Sequence, residues 1–564
     1  MKEQIRAALE STLRDLQLEP PAQIQLDAPR DKRHGDLSSN VALILARASG
    51  LNPRALAARI VERLQERDDC GADVDLAGPG FINFRVHSSG VSAALRELLR
   101  TGVEVGRCDA GAGARVQLEF VSANPTGPLN VVSARAAAYG STLAAMLSLC
   151  GYEVQSEFYV NDAGRQIELL GASVRARLTE LRGGAQPVPE GGYQGDYVRE
   201  IAAAIPGADA DAWLALPDAE SDAAFGAFAV ERMVDSQRGN LARFGVRYDR
   251  WFRESELHGS DAVSEARDEL ERSGYVYERD GALFFRSTTW NDAKDRVLVR
   301  SDGTPTYFLA DAAYHRNKHD RGFAKVINVW GPDHHGHIQR MQALARAFGY
   351  PEEWLEVVIV QQVNLVEGGE KVKMSKRAGQ LITLAELMDE VGEDVARYFF
   401  LMRQHASHLD FDLDLARRQS DENPVYYVKY AYARICSIIR KAASSGLRLR
   451  APELEGSGLD PGADAPLPQA AALERLEEPA ERELVQQLVD YPGFVRRAAE
   501  AREPHRLTTY SEELARTFHR FYHEQRVIQE DRDLGLARLA LCHATRRVLA
   551  SALHLMAIEA PQSM

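Results

Sequence analysis

Cysteine is scarce in this 564-residue chain: Cys70, Cys108, Cys150, Cys436 and Cys542 lie far apart, and none forms a Cys-x-x-Cys pair. That spacing offers neither a disulfide framework nor a zinc ribbon. Long apolar runs are missing too. No stretch approaches the roughly 20 residues of a membrane span, and Met1-Lys2-Glu3-Gln4-Ile5-Arg6 opens an amphipathic helix without the apolar core of a signal peptide. Cytoplasm is therefore the expected compartment. Positive charge is in deficit, with 68 Lys and Arg against 82 Asp and Glu for a net charge of -14. Taken alone, this counts against a nucleic-acid partner, because phosphate contacts call for basic side chains. Local clusters reopen the question: Arg434, Arg440 and Lys441, then Arg496 and Arg497, then Arg546 and Arg547 can grip a folded RNA while acidic faces point away. Heptad runs and internal repeats are absent, which argues against coiled-coil assembly and repeat architectures.

What is present reads as a soluble globular protein, 45% hydrophobic and 27% charged, too long for one core. Three blocks emerge. Residues 1–112 combine helix (Pro53 to Arg67) with a strand-like Phe81-Ile82-Asn83-Phe84-Arg85, a small α+β domain. Residues 113–404 alternate strands with helices: Val116 to Val121, the helix after Pro128, Val154 to Val160, Leu283 to Arg286, Val297 to Arg300, Lys325 to Trp330 and Leu355 to Val363. That pattern predicts an α/β domain with a Rossmann-like parallel sheet and a nucleotide at the carboxyl ends of its strands. Residues 405–564 carry helical periodicity with almost no strand signal, an all-α bundle, interrupted by a Pro/Gly/Ala-rich connection at 451–470 that reads as flexible.

Within the middle block, Lys373-Met374-Ser375-Lys376-Arg377 follows the apolar run Val357 to Val363 and a Gly368-Gly369 turn. Two lysines three apart on a short loop can close over a triphosphate and neutralise the charge that builds on departing pyrophosphate. The string resembles the KMSKS signature of class I aminoacyl-tRNA synthetases. The partner signature of that class, His-x-Gly-His at a helix start, is altered. Its position reads Asn124-Pro125-Thr126-Gly127-Pro128-Leu129-Asn130-Val131-Val132-Ser133, without either histidine. Asn130 still offers an amide donor and Ser133 a hydroxyl, although neither brings positive charge, and Val132 adds a branched side chain where glycine is expected.

Further strings narrow the resemblance. Gln117 to Pro125, Glu157 to Gln166, Trp330-Gly331-Pro332-Asp333-His334-His335-Gly336 and the block from His408 to Arg434 are similar to arginyl-tRNA synthetases, as are the N-terminal His34-Gly35-Asp36-Leu37-Ser38-Ser39-Asn40 and Gly78 to Asn83. The match is weakest through residues 175–245 and 450–480. This resemblance implies ligation of L-arginine to tRNA(Arg) through an arginyl-adenylate, with ATP and Mg2+ as substrate and no protein-bound metal. It implies Lys373, Lys376, Asn130 and Ser133 at the reacting phosphates, and Pro125, Gly127, Gly331, Asp333, His335, Met374 and Ser375 around ATP. A guanidinium is best held by carboxylates. The family's arginine ligands fall on Glu119, Asn124, Tyr307 and Asp311, and Tyr307 and Asp311, four apart, share one helical face. In the last block it implies anticodon recognition by Tyr427, Tyr430, Arg434 and Met564, with Lys429 as a basic neighbour. Phe518, Phe521 and Tyr522 read as core.

Three alternatives accompany this reading. Asp333-His334-His335-Gly336-His337 also has the donor set of a transition-metal site, although no distant Cys or His constellation completes it. Loss of both signature histidines would also suit a tRNA-binding relative without ATP chemistry. A class I synthetase for another amino acid is more distant, since an acidic pocket excludes hydrophobic substrates.

Overall fold

The computed structural model describes residues 2–21, 24–27, 29, 34–67, 69–100, 104–372, 382–449 and 470–564. Helix α1 (Lys2–Asp15) is followed by β1 (Leu37–Ser39), α2 (Val41–Ser49), α3 (Pro53–Gln65), β2 (Ala72–Ala77) and β3 (Phe81–Val86). The strands form an antiparallel sheet in the order β1-β3-β2. Ile5, Leu9, Leu13, Val41, Ile60, Leu64 and Phe84 close a core of their own over it. Asn52 caps α3 by accepting from the Arg54 N–H at 2.9 Å, and Pro53 takes the first helical position, where its missing N–H is harmless. Gly35 turns into β1 at φ +108°, and a Cβ there would stand 2.7 Å from the Phe84 carbonyl oxygen, so only glycine fits. Helix α4 (Ser88–Arg100) leaves this core: its Leu95, Leu98 and Leu99 join the larger hydrophobic core of the rest of the chain.

The next segment builds a parallel sheet from β4 (Arg115–Glu119), α5 (Val131–Leu149), β5 (Glu153–Val160), α6 (Arg165–Leu181), α7 (Asp196–Ala203), α8 (Gly207–Leu214), α9 (Asp218–Arg243) and β6 (Arg250–Arg253). After α10 (Glu254–His258) and α11 (Ala262–Arg272), β7 (Val276–Arg279), β8 (Ala282–Phe285) and β9 (Arg296–Val299) form a separate antiparallel sheet. The chain returns through α12 (Tyr307–Asp320), β10 (Lys325–Trp330), α13 (Ile338–Ala347) and β11 (Leu355–Ile359). The order is β11-β10-β4-β5-β6 with every pair parallel, so the topological switch falls between β4 and β10. Gly140 lets α5 lie close on β4, since a Cβ would meet the Phe120 ring at 2.3 Å.

Three strand expectations change. The Leu283 and Val297 runs belong to the β7-β8-β9 sheet, because the short connection at residues 286–295 brings them together locally as antiparallel neighbours. The Leu355–Val363 run is two strands: β11 stays in the main sheet, while β12 (Val363–Glu367) pairs with β13 (Glu370–Lys371) and with a strand inside the predicted helical block, β14 (Leu409–Asp412). Leu409 and Phe411 alternate buried with exposed Asp410 and Asp412, a period of two too short to register against the helices around it. In chain order α14 (Leu384–Val391) and α15 (Glu393–Leu401) precede β14. Then come α16 (Leu413–Ala416), α17 (Pro424–Ser444), α18 (Ala470–Leu473), α19 (Pro479–Val489), α20 (Tyr491–Glu500), α21 (Arg506–Glu524) and α22 (Arg532–Leu555). The expected flexible connection lies outside the described residues, apart from Ala470, the first residue of α18.

One hydrophobic core runs from Leu95 to Ile558, joining sheet and bundle. Arg397 pins that joint. Its guanidinium, fully buried on α15, donates to the carbonyls of Met556 and Phe244 (2.7 Å) and to the Ser141 hydroxyl (2.8 Å), and burial draws its pKa down to about 10. Replacing Arg397 with Met strands three acceptors away from water and is expected to cost about 2–4 kcal/mol, read as a lowered thermal midpoint. An unchanged midpoint would show that the joint does not depend on this side chain.

Candidate active site

The carboxyl end of β4 carries backbone strain. Val121 and Ser122, neither of them glycine, sit at φ +70° and +41° immediately after Glu119 and Phe120. Such residues cost on the order of 1–3 kcal/mol each and persist only where their surroundings enforce them. Here the Ser122 hydroxyl donates to Glu119 Oε1 (2.9 Å) and accepts from the Tyr159 N–H (3.1 Å), which ties the turn to β5.

The following loop ends at the N-terminus of α5. Asn130 is its cap, with Oδ1 accepting from the N–H groups of Val132 and Ser133, each at 3.0 Å. The asparagine that replaces a signature histidine therefore completes the helix end, and its amide nitrogen is the donor left over. Ser133 stands half-buried in the first turn. Asn130 also bridges Thr383, and Leu384 N–H donates to the Leu129 carbonyl (2.8 Å), so the start of α14 is stitched to the start of α5. Lys373, Met374, Ser375, Lys376 and Arg377 lie outside the described residues. Beyond them, the described chain resumes at Ile382 and Thr383, against the altered signature. Pro125 is buried, while the Asn124 amide is exposed and donates to Gln166 Oε1 (2.9 Å). Buried Gln237 on α9 holds this loop by donating to the carbonyls of Asn124 (3.2 Å) and Gly127 (3.1 Å), and Tyr197 hydroxyl donates to Thr126 (2.7 Å). Both belong to the region of weakest resemblance, and no local signal marks them.

Glu119 and Asp311 come together as expected, with a third carboxylate, Glu254. Glu254 opens α10, is buried, and accepts from the Tyr159 hydroxyl (3.0 Å) and from Asn161 (3.1 Å) with its amide turned toward it. Asp311 has neither ion pair nor hydrogen bond for its carboxylate among the described residues. Desolvation, reinforced by Glu254 and Glu119 and opposed by Arg340 and Lys318, pushes its pKa up to about 7. Glu119 does not stand alone: its Oε2 takes a 2.6 Å ion pair from Lys318, a residue the motif reading passed over. Asp311, His315 and Lys318 recur along one face of α12, a spacing visible in the sequence, but the partner is 199 residues away. Tyr307, the first residue of α12, is 62% exposed, and its hydroxyl lies 3.2 Å from where a Cβ on Gly164 would stand.

On the other side of the switch, β10 delivers Gly331 and a 3-10 turn, Pro332–His337, in which Asp333, His334 and His335 are exposed. Among the described residues no three His, Cys, Asp or Glu side chains converge to hold a metal.

Far along the chain, Tyr430 and Met564 are exposed, at 52% and 59%, and Tyr427 is half-buried. His519 of α21 lies beside both tyrosines, tilted against Tyr427 with ring centroids 5.5 Å apart and stacked near Tyr430 at 6.2 Å, while Arg434 lies 5.5 Å over the Tyr522 ring. His519 escaped the motif reading because its partners are on another helix. Phe518 and Phe521 are core, as expected, whereas Tyr522 is half-buried. Two basic expectations are corrected. Lys429 is spent in an ion pair with Asp394, and Arg546 and Arg547 are buried, donating to the Tyr432 hydroxyl (3.2 Å) and to the Leu98 (3.1 Å) and Leu99 carbonyls of α4. They serve packing because α22 is central to the bundle.

Three family models match in tandem: arginyl tRNA synthetase N terminal domain over residues 1–86, tRNA synthetases class I (R), catalytic domain, over 94–405, and DALR anticodon binding domain over 428–564. An arginine--tRNA ligase from Heliobacterium modesticaldum is 47% identical over 551 residues, covering 98% of this chain and 96% of that protein. Another from Geobacillus thermodenitrificans is 44% identical, covering 100% and 99%. Among solved structures, Thermus thermophilus arginyl-tRNA synthetase shares the fold at a TM-score of 0.75 and 22% identity, with all of both chains covered. The parallel sheet with its switch point, the helical bundle and these end-to-end matches agree, and the chain belongs to the arginyl-tRNA synthetases of class I.

Proposed function

We propose that this protein attaches L-arginine to tRNA(Arg) in two steps. The arginine carboxylate attacks the α-phosphorus of MgATP, pyrophosphate leaves, and a terminal ribose hydroxyl of the tRNA takes the arginyl group from the adenylate. Residues 1–112 would engage the tRNA body, 113–404 the chemistry and 405–564 the anticodon, in a cytoplasmic monomer. The observation that carries the substrate is the partnerless Asp311 carboxylate beside Glu119 and Glu254, a desolvated site that lacks one cation. A guanidinium supplies it, with Tyr307 along its plane and Asn124 at the amino acid's backbone end.

Around ATP, the positive end of the 19-residue α5, capped by Asn130 and followed by Ser133, faces the phosphates without a histidine's charge. Lys373 and Lys376 then carry the cationic share of transition-state stabilisation, with Met374 and Ser375 between them, and Pro125, Gly127, Gly331, Asp333 and His335 line the nucleotide. The work is positioning and charge stabilisation, so no protein nucleophile is needed. At the far end Tyr427, Tyr430, Arg434 and Met564 would receive splayed anticodon bases. A tRNA-binding relative without ATP chemistry has no support among the comparisons, whose full-length relatives are named as ligases.

ATP-pyrophosphate exchange tests this directly: exchange that requires L-arginine is expected, and it should rise when tRNA(Arg) is added. Equal rates with and without tRNA would remove the coupling between bundle and site, and exchange with a neutral amino acid in place of arginine would overturn the substrate.

The pocket also predicts a proton linkage. With the pocket empty, Asp311 is partly protonated near pH 7, and a bound guanidinium favours its ionised form. Arginine binding should therefore release a proton at neutral pH and weaken as pH falls below about 7. Calorimetry in two buffers of different ionisation enthalpy reads that proton, and pH-independent affinity from pH 6 to 8, flanking that value of about 7, would contradict the linkage.

Restoring histidine should carry a structural penalty here. Asn130→His, made with Val132→Gly and Ser133→His, removes the α5 cap and should cost about 1 kcal/mol of stability. A thermal midpoint equal to or above the natural chain's would show that the cap is not needed.

A further inference from the structure

We propose that Lys318 is a positioning residue for the amino acid substrate, a built-in counter-ion whose ion pair holds Glu119 turned toward the pocket so that one incoming cation completes it. The proposal rests on Glu119 and Asp311 as the arginine site and deepens that reading.

Lys318 is fully buried, and each direction open to its ammonium is occupied. It donates to Glu119 Oε2 (2.6 Å) and Asn328 Oδ1 (2.8 Å), and it lies 4.4 Å over the ring of Tyr314. Asn328 is held in its turn, donating from its amide nitrogen to His315 Nε2 (3.0 Å), while His315 Nδ1 donates to the Asp311 backbone carbonyl (2.8 Å). Burial and the Lys318 charge keep that imidazole neutral, with a pKa lowered to about 3, so this single tautomer carries the chain. A continuous line of hydrogen bonds thus runs from Ser122 through Glu119, Lys318, Asn328 and His315 to the main chain of Asp311.

The line fixes what substrate meets. Lys318 occupies Oε2 of Glu119, leaving Oε1, steadied by Ser122, as the edge available to a ligand. Charge follows the same logic. Glu119, Asp311 and Glu254 crowd one desolvated site, faced by Lys318, by Arg340, by the Tyr159 hydroxyl and by His258, whose Nε2 lies 3.3 Å from Glu254 Oε1, while the Tyr314 hydroxyl is turned to Glu157, the partner of Arg321. Lys318 opposes the upward pKa shift that burial and the neighbouring carboxylates impose on Asp311, so without it Asp311 would hold its proton more tightly, and a guanidinium would have to displace that proton before it could bind.

Lys318→Met in the full chain tests this through arginine affinity and KM, ATP KM, and the pH dependence of arginine binding. At pH 8 the arginine Kd should rise about ten-fold or more, with ATP KM nearly unchanged, and the pH at which affinity is lost should move upward. Glu119→Gln and Glu119→Gln/Lys318→Met accompany it, since the double variant removes both charges and avoids an orphaned one. If Lys318 acts through Glu119, the double variant binds arginine no more weakly than Glu119→Gln alone. Additive losses overturn the proposal, as does a Lys318→Met chain whose thermal midpoint and kcat fall while arginine affinity and its pH dependence stay in place. A natural chain that binds tRNA(Arg) but no arginine defeats the site reading itself, a separate outcome.

Discussion

Buried negative charge at the carboxyl ends of the central strands is the constraint around which the rest of this structure is arranged. Glu157 shows how the fold treats a carboxylate it intends to keep: fully buried on β5, it is paired with Arg321 and accepts from the Tyr314 hydroxyl at 2.6 Å. Asp311 receives no such partner. Half-buried beside Glu119 and Glu254, its carboxylate is uncompensated among the described residues, an arrangement that a cationic ligand would neutralise. The strain at Val121 and Ser122 sits on the same shelf, where it directs the Ser122 hydroxyl onto Glu119.

The phosphate side solves a different problem. Helix α5 points its N-terminus at the switch between β4 and β10, and Asn130 consumes two of its free N–H groups while offering no charge. In the proposed reaction the cationic share therefore falls to Lys373 and Lys376, which lie outside the described residues. The bridge between Asn130 and Thr383 places the described end of that segment beside the helix it must assist. Bundle and sheet share one core, and Arg397 ties the two together through main-chain carbonyls of each.

Much of this was legible because it is local. The helix after Pro128, the helix from Pro53 and the strand Lys325–Trp330 follow from prolines and apolar patterns of adjacent residues. Glu119 and Asp311 were recoverable as a pair through family motifs. What stayed hidden depends on contacts between distant segments. Lys318 looks like a surface lysine until Glu119 is placed opposite it, Gln237 and Glu254 carry no motif, and His519 gains meaning only from tyrosines on α17. Arg546 and Arg547 misled in the opposite direction. Adjacent arginines read as a basic patch, whereas helix α22 buries both to satisfy carbonyls and a hydroxyl.

The most direct test of the account is charging of tRNA(Arg) with labelled L-arginine by the purified chain. An acidic pocket short of one cation, with the lysine pair supplying the missing charge at the phosphates, predicts arginyl-tRNA at many turnovers per enzyme without restoring either histidine. Tight tRNA binding with no charging, under conditions where an arginine--tRNA ligase relative charges the same tRNA, would contradict it.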